Sequence, residues 1–493
     1  MWPWRFRFLN HEADLESAMV WTDSKCDKLW LYNLHYFDDL NAVEAEKRTH
    51  WHRELIERWI EENEAGRGVG WEPYPSSLRI VNWTKWVLAG NLLPGSASQS
   101  LAVQTRWLSK RLEHHLPGNH LFANAKALVF AGLLFEGGEA EQWFSLGLKL
   151  LGRELPEQVL PDGGNFELSP MYHHVVLEDV MDVINVVRVY GQMEPPEWAK
   201  ATERMLDWAI AMVHPDGDIS FFNDAALGVA PTLSELCAYA VRLGIRVPKF
   251  VDDRPVVLLP HSGYVRLQRD HVVAFFDVGK VGPDYLPGHA HADTLSVEVS
   301  VGTQRVLVNS GTSIYGTGAE RQRQRGTAAH STIRIDREDS SEVWAGFRVA
   351  RRAYVHDVEI DPAGAAVSAW HDGYLRLCGK PKHGRTVCLR RRELEIRDSI
   401  TSKHNHLIEG TWHLHPAVEV VDMESSETSC RVLLRILDRG VERSLVMTIE
   451  GADHVAVEAG TYHPEFGLSQ STHCVAFRYH GDLPVSLVST LAF

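Results

Sequence analysis

The stretch Gly-His-Ala-His-Ala-Asp-Thr-Leu-Ser-Val-Glu-Val-Ser-Val at residues 288–301 decides the fold class. In its second part, residues 294–301, apolar and polar side chains alternate, which predicts a β-strand with one buried face. Similar short alternating runs recur from Pro255 to the end of the chain. We therefore expect this part of the chain to form an antiparallel β domain.

The preceding part of the chain, from residue 39 to 245, has a different period. Apolar residues recur there at helical spacing, as in Trp51, Leu55 and Trp59. We count about eight such segments, separated by turn sequences such as Leu-Pro-Gly and Pro-Asp-Gly. Helices followed by strands, without alternation, predict an α+β multidomain chain with domains at 1–250 and 251–493.

Composition excludes several classes of protein. The chain has 493 residues and a formal net charge of −15, with basic residues spread along it, which argues against nucleic acid as a partner. No apolar run reaches the roughly 18 residues of a membrane span. Six cysteines without a CxxC pair favour buried thiols over disulfides, and hence a reducing compartment. We expect a cytoplasmic protein, or a periplasmic or secreted one if the native chain begins upstream.

Asn119 and His120 stand at a predicted helix start, after a Pro-Gly pair and before an apolar segment. Asparagine is a common N-cap, which would be a purely structural role. A helix start also presents unpaired N–H groups and the positive end of the helix dipole, which suit a carboxylate ligand. The sequence is compatible with both roles.

A polar and aromatic cluster at residues 163–174 precedes another predicted helix and contains Glu167, Tyr172 and His173. A tyrosine is more often packed, with its hydroxyl bonded to a neighbour, than catalytic. Tyrosine can also protonate a leaving oxygen or accept a proton from carbon. The adjacent histidines and glutamate favour the catalytic interpretation of Tyr172.

His289 and His291 would project to one face of an extended chain, a spacing that two ligands of one metal ion can use. A third nitrogen is available from His330, which opens another predicted strand, and Asn309 lies between them in sequence. An HxH pair alone is a weak signal for a metal site.

Two further pairs of residues are candidates for substrate binding. Arg79 lies four residues before Trp83 on one predicted helix face, and aromatic faces stack on sugar rings. Arg321 and Arg325 belong to a compact basic segment that would suit a polyanion. The alternatives are a core position for the first pair and a solvated loop for the second.

Together, these segments resemble the heparinase II/III-like polysaccharide lyases over nearly the whole chain. The resemblance is most specific in residues 119–120, 166–173, 289–293 and 327–344. It implies an N-terminal (α/α) toroid of helical hairpins followed by a C-terminal antiparallel β-sandwich. It also implies a carbon–oxygen lyase that cleaves a uronic-acid-containing acidic polysaccharide or oligosaccharide by β-elimination, with no cofactor required for the chemistry.

The resemblance also implies roles for single residues. Asn119 or His120 would neutralise the substrate carboxylate, Tyr172 would be the acid and sometimes the base, and His289 would be a base. Glu167 and His173 are expected at the substrate-binding site, with Glu167 orienting a histidine.

Relatives that hold a metal ion do so with residues that match His291, Asn309 and His330. Asn309 stands where those relatives have an aspartate, and an amide oxygen is a poorer zinc ligand than a carboxylate. Zinc or another divalent metal held here would brace the β domain rather than perform chemistry.

Two other functions are compatible with the sequence. One is a non-catalytic glycan-binding protein or an accessory protein of surface-polysaccharide biosynthesis. The other is a metal-dependent glycan hydrolase with His289, His291 and His330 as ligands. A lyase is favoured because the Asn-His, Tyr and His motifs occur in the order of the family.

Overall fold

The structure is a computed structural model that describes residues 4–15, 18–23, 25–249 and 254–493. It divides into two compact units. The N-terminal unit comprises Met1–Gln158 and Glu178–Lys200, and the C-terminal unit comprises Val159–Leu177 and Ala201–Phe493. The predicted domain boundary between residues 250 and 251 lies outside the described residues and stays a prediction.

Helices form most of the first half of the chain, as the apolar spacing predicts. Before them, strands β1 (Arg5–Phe8) and β2 (His11–Asp14) pair in antiparallel fashion. The α-helices of this half are α1 (Lys28–Tyr36), α2 (Thr49–Glu62), α3 (Pro73–Leu88), α4 (Ala97–Ser109), α5 (Asn119–Leu134), α6 (Gly138–Gln158), α7 (Pro170–Val189), α8 (Pro196–Met212) and α9 (Leu233–Arg242).

Helices α5 and α6 form a close hairpin that places residue 119 at a helix start. A Cβ atom on Gly132 would lie 2.5 Å from the backbone nitrogen of Phe144, and one on Gly147 would lie 2.8 Å from the carbonyl oxygen of Ala125. Only glycine therefore allows this approach of the two backbones. The N-cap of α5 is Gly118 and not Asn119, so the predicted N-cap role of Asn119 is wrong.

The second half of the chain consists mainly of antiparallel strands. They are β3 (Val256–Leu259), β4 (Tyr264–Arg269), β5 (Val272–Asp277), β6 (Val297–Val301), β7 (Gln304–Val308), β8 (Ile333–Ile335), β9 (Val343–Trp344), β10 (Arg348–Val349), β11 (Val355–Asp361), β12 (Ala366–His371), β13 (Lys382–Leu389), β14 (Glu393–Thr401), β15 (His406–Leu414), β16 (Glu419–Ser425), β17 (Ser429–Asp438), β18 (Val441–Glu450), β19 (His454–Tyr462), β20 (Gln470–Gly481) and β21 (Val485–Ala492). One short helix, α10 (Ala319–Arg325), interrupts them.

Two large sheets of the C-terminal unit enclose one apolar core. The first has the strand order β11-β12-β13-β14-β21-β18-β17-β16, and the second has the order β19-β20-β15-β7-β6-β5-β4-β3, with β8 paired to β15. Val299 and Ile333 of the second sheet share the core with Val387 and Ile396 of the first. The two sheets therefore pack face to face as a sandwich.

The strand predicted over residues 294–301 begins later, at Val297. Leu295 has a φ of 62°, and the backbone N–H of Ser296 donates to the carbonyl oxygen of Asp293 at 2.8 Å. This turn ends the extended chain, because a left-handed residue reverses its direction. His289 and His291 consequently lie in a loop and not on a strand.

The six cysteines are free thiols. Cys430 and Cys474 are buried, whereas Cys378 is exposed, so the prediction of buried thiols holds for only part of the set. Among the described residues, no helix combines the length and the apolar character that crossing a membrane requires.

Candidate active site

Tyr172 and His289 stack on each other in the C-terminal unit. Their ring centroids are 3.8 Å apart and the planes are inclined by 29°. Tyr172 lies in the first turn of α7, and its hydroxyl is 2.8 Å from the hydroxyl of Tyr315. The side chain of His289 is 12% exposed, so the pair has limited access to solvent. The structure thus brings together the two residues predicted as acid and base.

One buried carboxylate, that of Asp224, holds the histidine of this pair. Its Oδ2 is 3.0 Å from Nδ1 of His289, and its Oδ1 is 2.9 Å from Nε2 of His291. Both terminal nitrogens of Arg321 also donate to it. Burial alone would raise the pKa of Asp224, but the Arg321 guanidinium and the histidine hydrogen bonds hold it well below its usual value. Asp224 is therefore ionised.

The carboxylate determines which nitrogen of each ring carries the proton. A carboxylate only accepts hydrogen bonds, so His289 donates through Nδ1 and His291 donates through Nε2. Nε2 of His289 lies 3.5 Å from Oε2 of Glu167, which is too long for a hydrogen bond. Burial lowers the pKa of His291 to about 4, so that ring is neutral. The unprotonated nitrogen of a neutral His289 is Nε2.

The backbone of Asp224 connects the loop of His289 to the start of α7. Its N–H donates to the carbonyl oxygen of His289 at 2.9 Å. Its carbonyl oxygen accepts a hydrogen bond from the hydroxyl of Ser169, and that hydroxyl accepts one from the N–H of Tyr172 at 3.2 Å. Asp224 therefore fixes both members of the stacked pair.

Asn223, the preceding residue, completes this connection. Its side-chain NH₂ donates to the carbonyl oxygen of Leu168 at 2.9 Å, and its Oδ1 accepts from the N–H of His291 at 2.9 Å. Its own N–H donates to Oδ2 of Asp293 at 2.9 Å. The Asn-Asp pair thus holds the histidine loop through side chains and backbone together.

No sequence motif singled out Asp224, Asn223 or Tyr315. A signal for the first two was present, because the Asn-Asp pair interrupts the apolar run Phe-Phe-Asn-Asp-Ala-Ala at residues 221–226. Polar residues inside such a run need buried partners. Nothing comparable marks Tyr315, which follows an isoleucine in a Gly-rich loop.

Three predicted substrate contacts of the C-terminal unit are buried and already bonded. Arg321 is bound to Asp224, and Arg325 donates twice to the carbonyl oxygen of Ala290, at 3.1 and 2.9 Å. His173 accepts from the N–H of Asn165 and donates to the carbonyl oxygen of Met205. Their burial contradicts substrate binding, because a side chain without exposed surface has none to offer a sugar. Glu167 is also buried, but it lies beside His289.

The predicted contacts Arg79 and Trp83 are core residues of the N-terminal unit. Both are fully buried. The guanidinium of Arg79 lies 3.9 Å from the ring centroid of Trp59 and donates to Gln104 at 2.8 Å, while Trp83 packs edge-on against Trp59 at 5.8 Å. The core alternative is therefore correct for this pair, and a direct sugar contact is contradicted.

His120 belongs to a second stacked pair, within the N-terminal unit, and Asn119 bonds to the tyrosine of that pair. His120 stacks on Tyr74 with centroids 4.1 Å apart, and its Nδ1 is 2.9 Å from Oε1 of Glu113. The side chain of Asn119 hydrogen-bonds to Tyr74, whose pKa is raised by burial. The His120 side chain is 27% exposed. Both predicted residues thus stand at the start of α5 with one partly accessible imidazole.

The predicted metal ligands do not form a three-ligand site. The rings of His291 and His330 are 5.2 Å apart, and Nδ1 of His291 lacks a hydrogen-bond partner among the described residues. The amide of Asn309, however, donates to the carbonyl oxygen of Phe221 at 2.9 Å and accepts from the N–H of Ser331 at 3.1 Å. Within the described part of the chain, no three His, Cys, Asp or Glu side chains are placed to hold a metal ion. The Asn309 amide is therefore engaged within the protein and does not complete a zinc site with the two histidines.

Family models and individual relatives match much of the chain. The family model described as "Heparinase II/III N-terminus" matches residues 95–240, and "Heparinase II/III-like, C-terminal" matches residues 251–488. A heparin-sulfate lyase of Bacteroides stercoris is 34% identical over 113 residues, which are 22% of this chain and 17% of that protein. FtsZ-localized protein C of Caulobacter vibrioides is 24% identical over 370 residues, 70% of this chain and 60% of that protein.

The match therefore spans less than two thirds of the length of these relatives. A crystal structure of heparinase III superposes with a TM-score of 0.75 at 17% identity, over 96% of this chain and 79% of that chain. This likeness confirms the predicted fold, an α/α toroid of helical hairpins followed by an antiparallel β-sandwich.

Proposed function

Because the chain belongs to the heparinase II/III-like family, we propose that it is a polysaccharide lyase that cleaves a uronic-acid-containing acidic polysaccharide by β-elimination. The observation that carries the proposal is the stacked pair of Tyr172 and His289, with Nδ1 of the histidine on the Asp224 carboxylate. The pair places a hydroxyl and a basic nitrogen side by side. These are the two groups that an elimination needs.

The reaction starts with removal of the proton on the carbon next to the uronate carboxylate. Nε2 of His289 takes this proton, and the electron pair of the C–H bond forms the new carbon–carbon double bond. The bond to the glycosidic oxygen breaks, and that oxygen takes the hydroxyl proton of Tyr172. Return of the proton from His289 to Tyr172 restores the resting state, so no oxidant, water or metal is consumed.

Asn119 and His120 are proposed to bind the uronate carboxylate. Their position in the first turn of α5 supports this role, because N–H groups and the helix dipole favour an anion there. Hydrogen bonds to the carboxylate lower the barrier because they stabilise the negative charge that develops on it when the proton leaves.

The proposed chemistry uses this chain's own residues and no cofactor. The hydrolase alternative needs His289, His291 and His330 on one metal ion, whereas His289 and His291 converge on Asp224 instead. The lyase is therefore the better supported of the two. Cytoplasmic localisation stays a prediction.

A panel of uronate-containing polymers tests the proposal. The wild type is expected to produce ultraviolet absorbance from the conjugated unsaturated uronate, together with product masses that show no added water. Tyr172→Phe should lower kcat by about 100-fold to 10,000-fold, the usual contribution of one acid–base group. Tyr374→Phe is the matched control, because this buried tyrosine of the same unit donates to the carbonyl oxygen of Ile333 and does not contact His289.

Three results would count against the lyase. Products that carry one added water molecule, or turnover abolished by a chelator, would favour the hydrolase. Undiminished turnover by Tyr172→Phe would remove the proposed acid.

A binding role without turnover is the second candidate. It is favoured by the long match to FtsZ-localized protein C, a relative named for its localisation and not for a reaction. Persistent binding of an acidic polysaccharide without any unsaturated product, across the same panel, would support it over the lyase.

A further inference from the structure

We propose that Asp224 is the positioning residue of this site, and that it holds His289 in the tautomer whose Nε2 accepts the substrate proton. The inference rests on the proposed lyase function for its kinetic consequence. It goes beyond that function by assigning the orientation of the base to one carboxylate in a separate segment of the chain. Three features of the contacts around Asp224 support this role.

The first feature is the division of the carboxylate between two histidines. Oδ2 meets His289 and Oδ1 meets His291, so the carboxylate cannot rotate without losing one ring. Thr312 adds a longer contact of 3.4 Å to Oδ1. His291 is 1% exposed, and its backbone N–H is bonded to Asn223. The hydrogen bond to this buried ring therefore fixes the orientation of the carboxylate.

The second feature is the charge balance. Arg321 binds both oxygens of Asp224, and the carboxylate and the guanidinium are both buried. A buried carboxylate without such a partner would take up a proton and could then donate to a histidine. Arg321 keeps the carboxylate ionised, and an ionised carboxylate accepts from Nδ1 of His289.

The third feature is that His289 remains accessible on its other side. Its side chain is 12% exposed and its ring stacks on Tyr172. Groups that face it are Asp224, Glu167, Tyr172, Tyr315 and Phe347. Nε2 thus points into the part of the site that contains Glu167 and the tyrosines, whereas Nδ1 is fixed.

Asp224→Asn tests the inference with little change in shape. The amide has one oxygen, so its NH₂ group must face an N–H donor of His289, His291 or Arg321. His289 is the partly exposed ring, and it can relieve this conflict by moving its proton from Nδ1 to Nε2. The base would then be lost. We expect kcat to fall at least about 100-fold while KM stays within about threefold.

Asp398→Asn is the matched control. Asp398 is likewise buried in the C-terminal unit, and it binds an arginine, Arg385, and one histidine, His383, where Asp224 binds two. This variant should lose thermal stability but keep kcat within about threefold. Equal loss of kcat in both variants, or a raised KM with unchanged kcat in Asp224→Asn, would overturn the inference.

A spectroscopic measurement decides the placement without any substrate. In protein labelled with ¹⁵N-histidine, the difference between the spectra of wild type and His289→Gln isolates the His289 ring. We expect a protonated Nδ1 in the wild type and a protonated Nε2 with a free Nδ1 in Asp224→Asn. An unprotonated Nδ1 in the wild type would contradict the inference. Absence of lyase turnover together with the expected spectrum would contradict only the proposed function.

Discussion

Two buried aspartates of the C-terminal unit, Asp224 and Asp398, have the same kinds of partner. Each accepts a hydrogen bond from an imidazole and a pair of hydrogen bonds from a guanidinium. At Asp398, His383 donates at 2.7 Å and Arg385 donates at 2.7 and 3.0 Å. In both cases burial would raise the aspartate pKa, but the arginine and the histidine contacts lower it.

The difference lies at the far nitrogen of the histidine. His383 accepts there from His371 at 3.1 Å, and Nδ1 of His371 in turn accepts from the N–H of Gly373 at 3.2 Å. Each side chain in this series of hydrogen bonds is buried and bonded. The ring of His289 instead stacks on Tyr172, and its far nitrogen has no close hydrogen bond among the residues that the structure describes. The same set of aspartate, histidine and arginine is therefore structural where the far nitrogen of the histidine is hydrogen-bonded, which we call a closed network. It is available for chemistry where that nitrogen is open, as in His289.

The histidines give the largest expected contrast. His289→Gln should lower kcat by about 100-fold to 10,000-fold, because a glutamine amide cannot accept the proton. His383→Gln should lower the melting temperature and leave kcat nearly unchanged. Initial rates on one uronate polymer and thermal unfolding of both variants measure the contrast. Loss of turnover in His383→Gln, at a temperature where the variant is folded, would show that the closed network also serves the reaction.

The sequence predicted the stacked pair better than the network behind it. Tyr172 and His289 belong to motifs of the resemblance, whereas Asp224 lies outside these motifs. The pairing of residues 224 and 289 is a contact over 65 positions, and single-sequence patterns carry no information on such contacts. The alternation at residues 294–301 correctly predicted a strand, but the turn at Leu295 depends on tertiary hydrogen bonds such as its N–H to the carbonyl oxygen of Asp277.

Charged side chains explain the wrong site predictions. Arg79 was expected to bind substrate beside Trp83, and Arg321 and Arg325 as parts of a compact basic segment. Each is buried with its guanidinium bonded to the protein or stacked on a ring, as Arg79 is on Trp59. Composition cannot show this, because a buried arginine depends on acceptors that come from distant segments. Asn309 is similar, since its amide is occupied by Phe221 and Ser331.

The arginines give the next contrast. Arg321→Met and Arg385→Met each leave a buried carboxylate without its cation, so each should lower the free energy of unfolding by about 3–5 kcal/mol. Denaturant unfolding measures this value. Turnover should fall only in Arg321→Met, because an uncompensated Asp224 takes up a proton and no longer fixes His289. The comparison would break if Arg385→Met lost turnover to the same extent while still folded.

Two double variants remove both charges of a pair. They are Asp224→Asn with Arg321→Met, and Asp398→Asn with Arg385→Met. Part of the lost stability should therefore return, because removing both partners avoids a buried unpaired charge. A double variant less stable than the sum of its single variants would contradict the assignment of the two pairs.

The carboxylates give the smallest contrast, and here the two networks should behave alike. The folded pKa values of Asp224 and Asp398 are both below the unfolded value of about 3.9. A depressed carboxylate contributes its stability fully above the unfolded pKa, and this contribution is lost as the pH falls through the folded pKa. The difference in unfolding free energy between wild type and either Asp→Asn variant should therefore shrink as the pH falls below about 4, by on the order of 2 kcal/mol.

Asparagine resembles a protonated aspartate, so each variant already lacks the contribution that acid removes from the wild type. Denaturant unfolding at a series of acidic pH values measures the two difference curves. A curve for Asp224→Asn that stays flat, beside one for Asp398→Asn that shrinks, would mean that Asp224 is not held as an ionised carboxylate. In that case the two networks would differ in their buried charge, and the open nitrogen of His289 would not be what separates them.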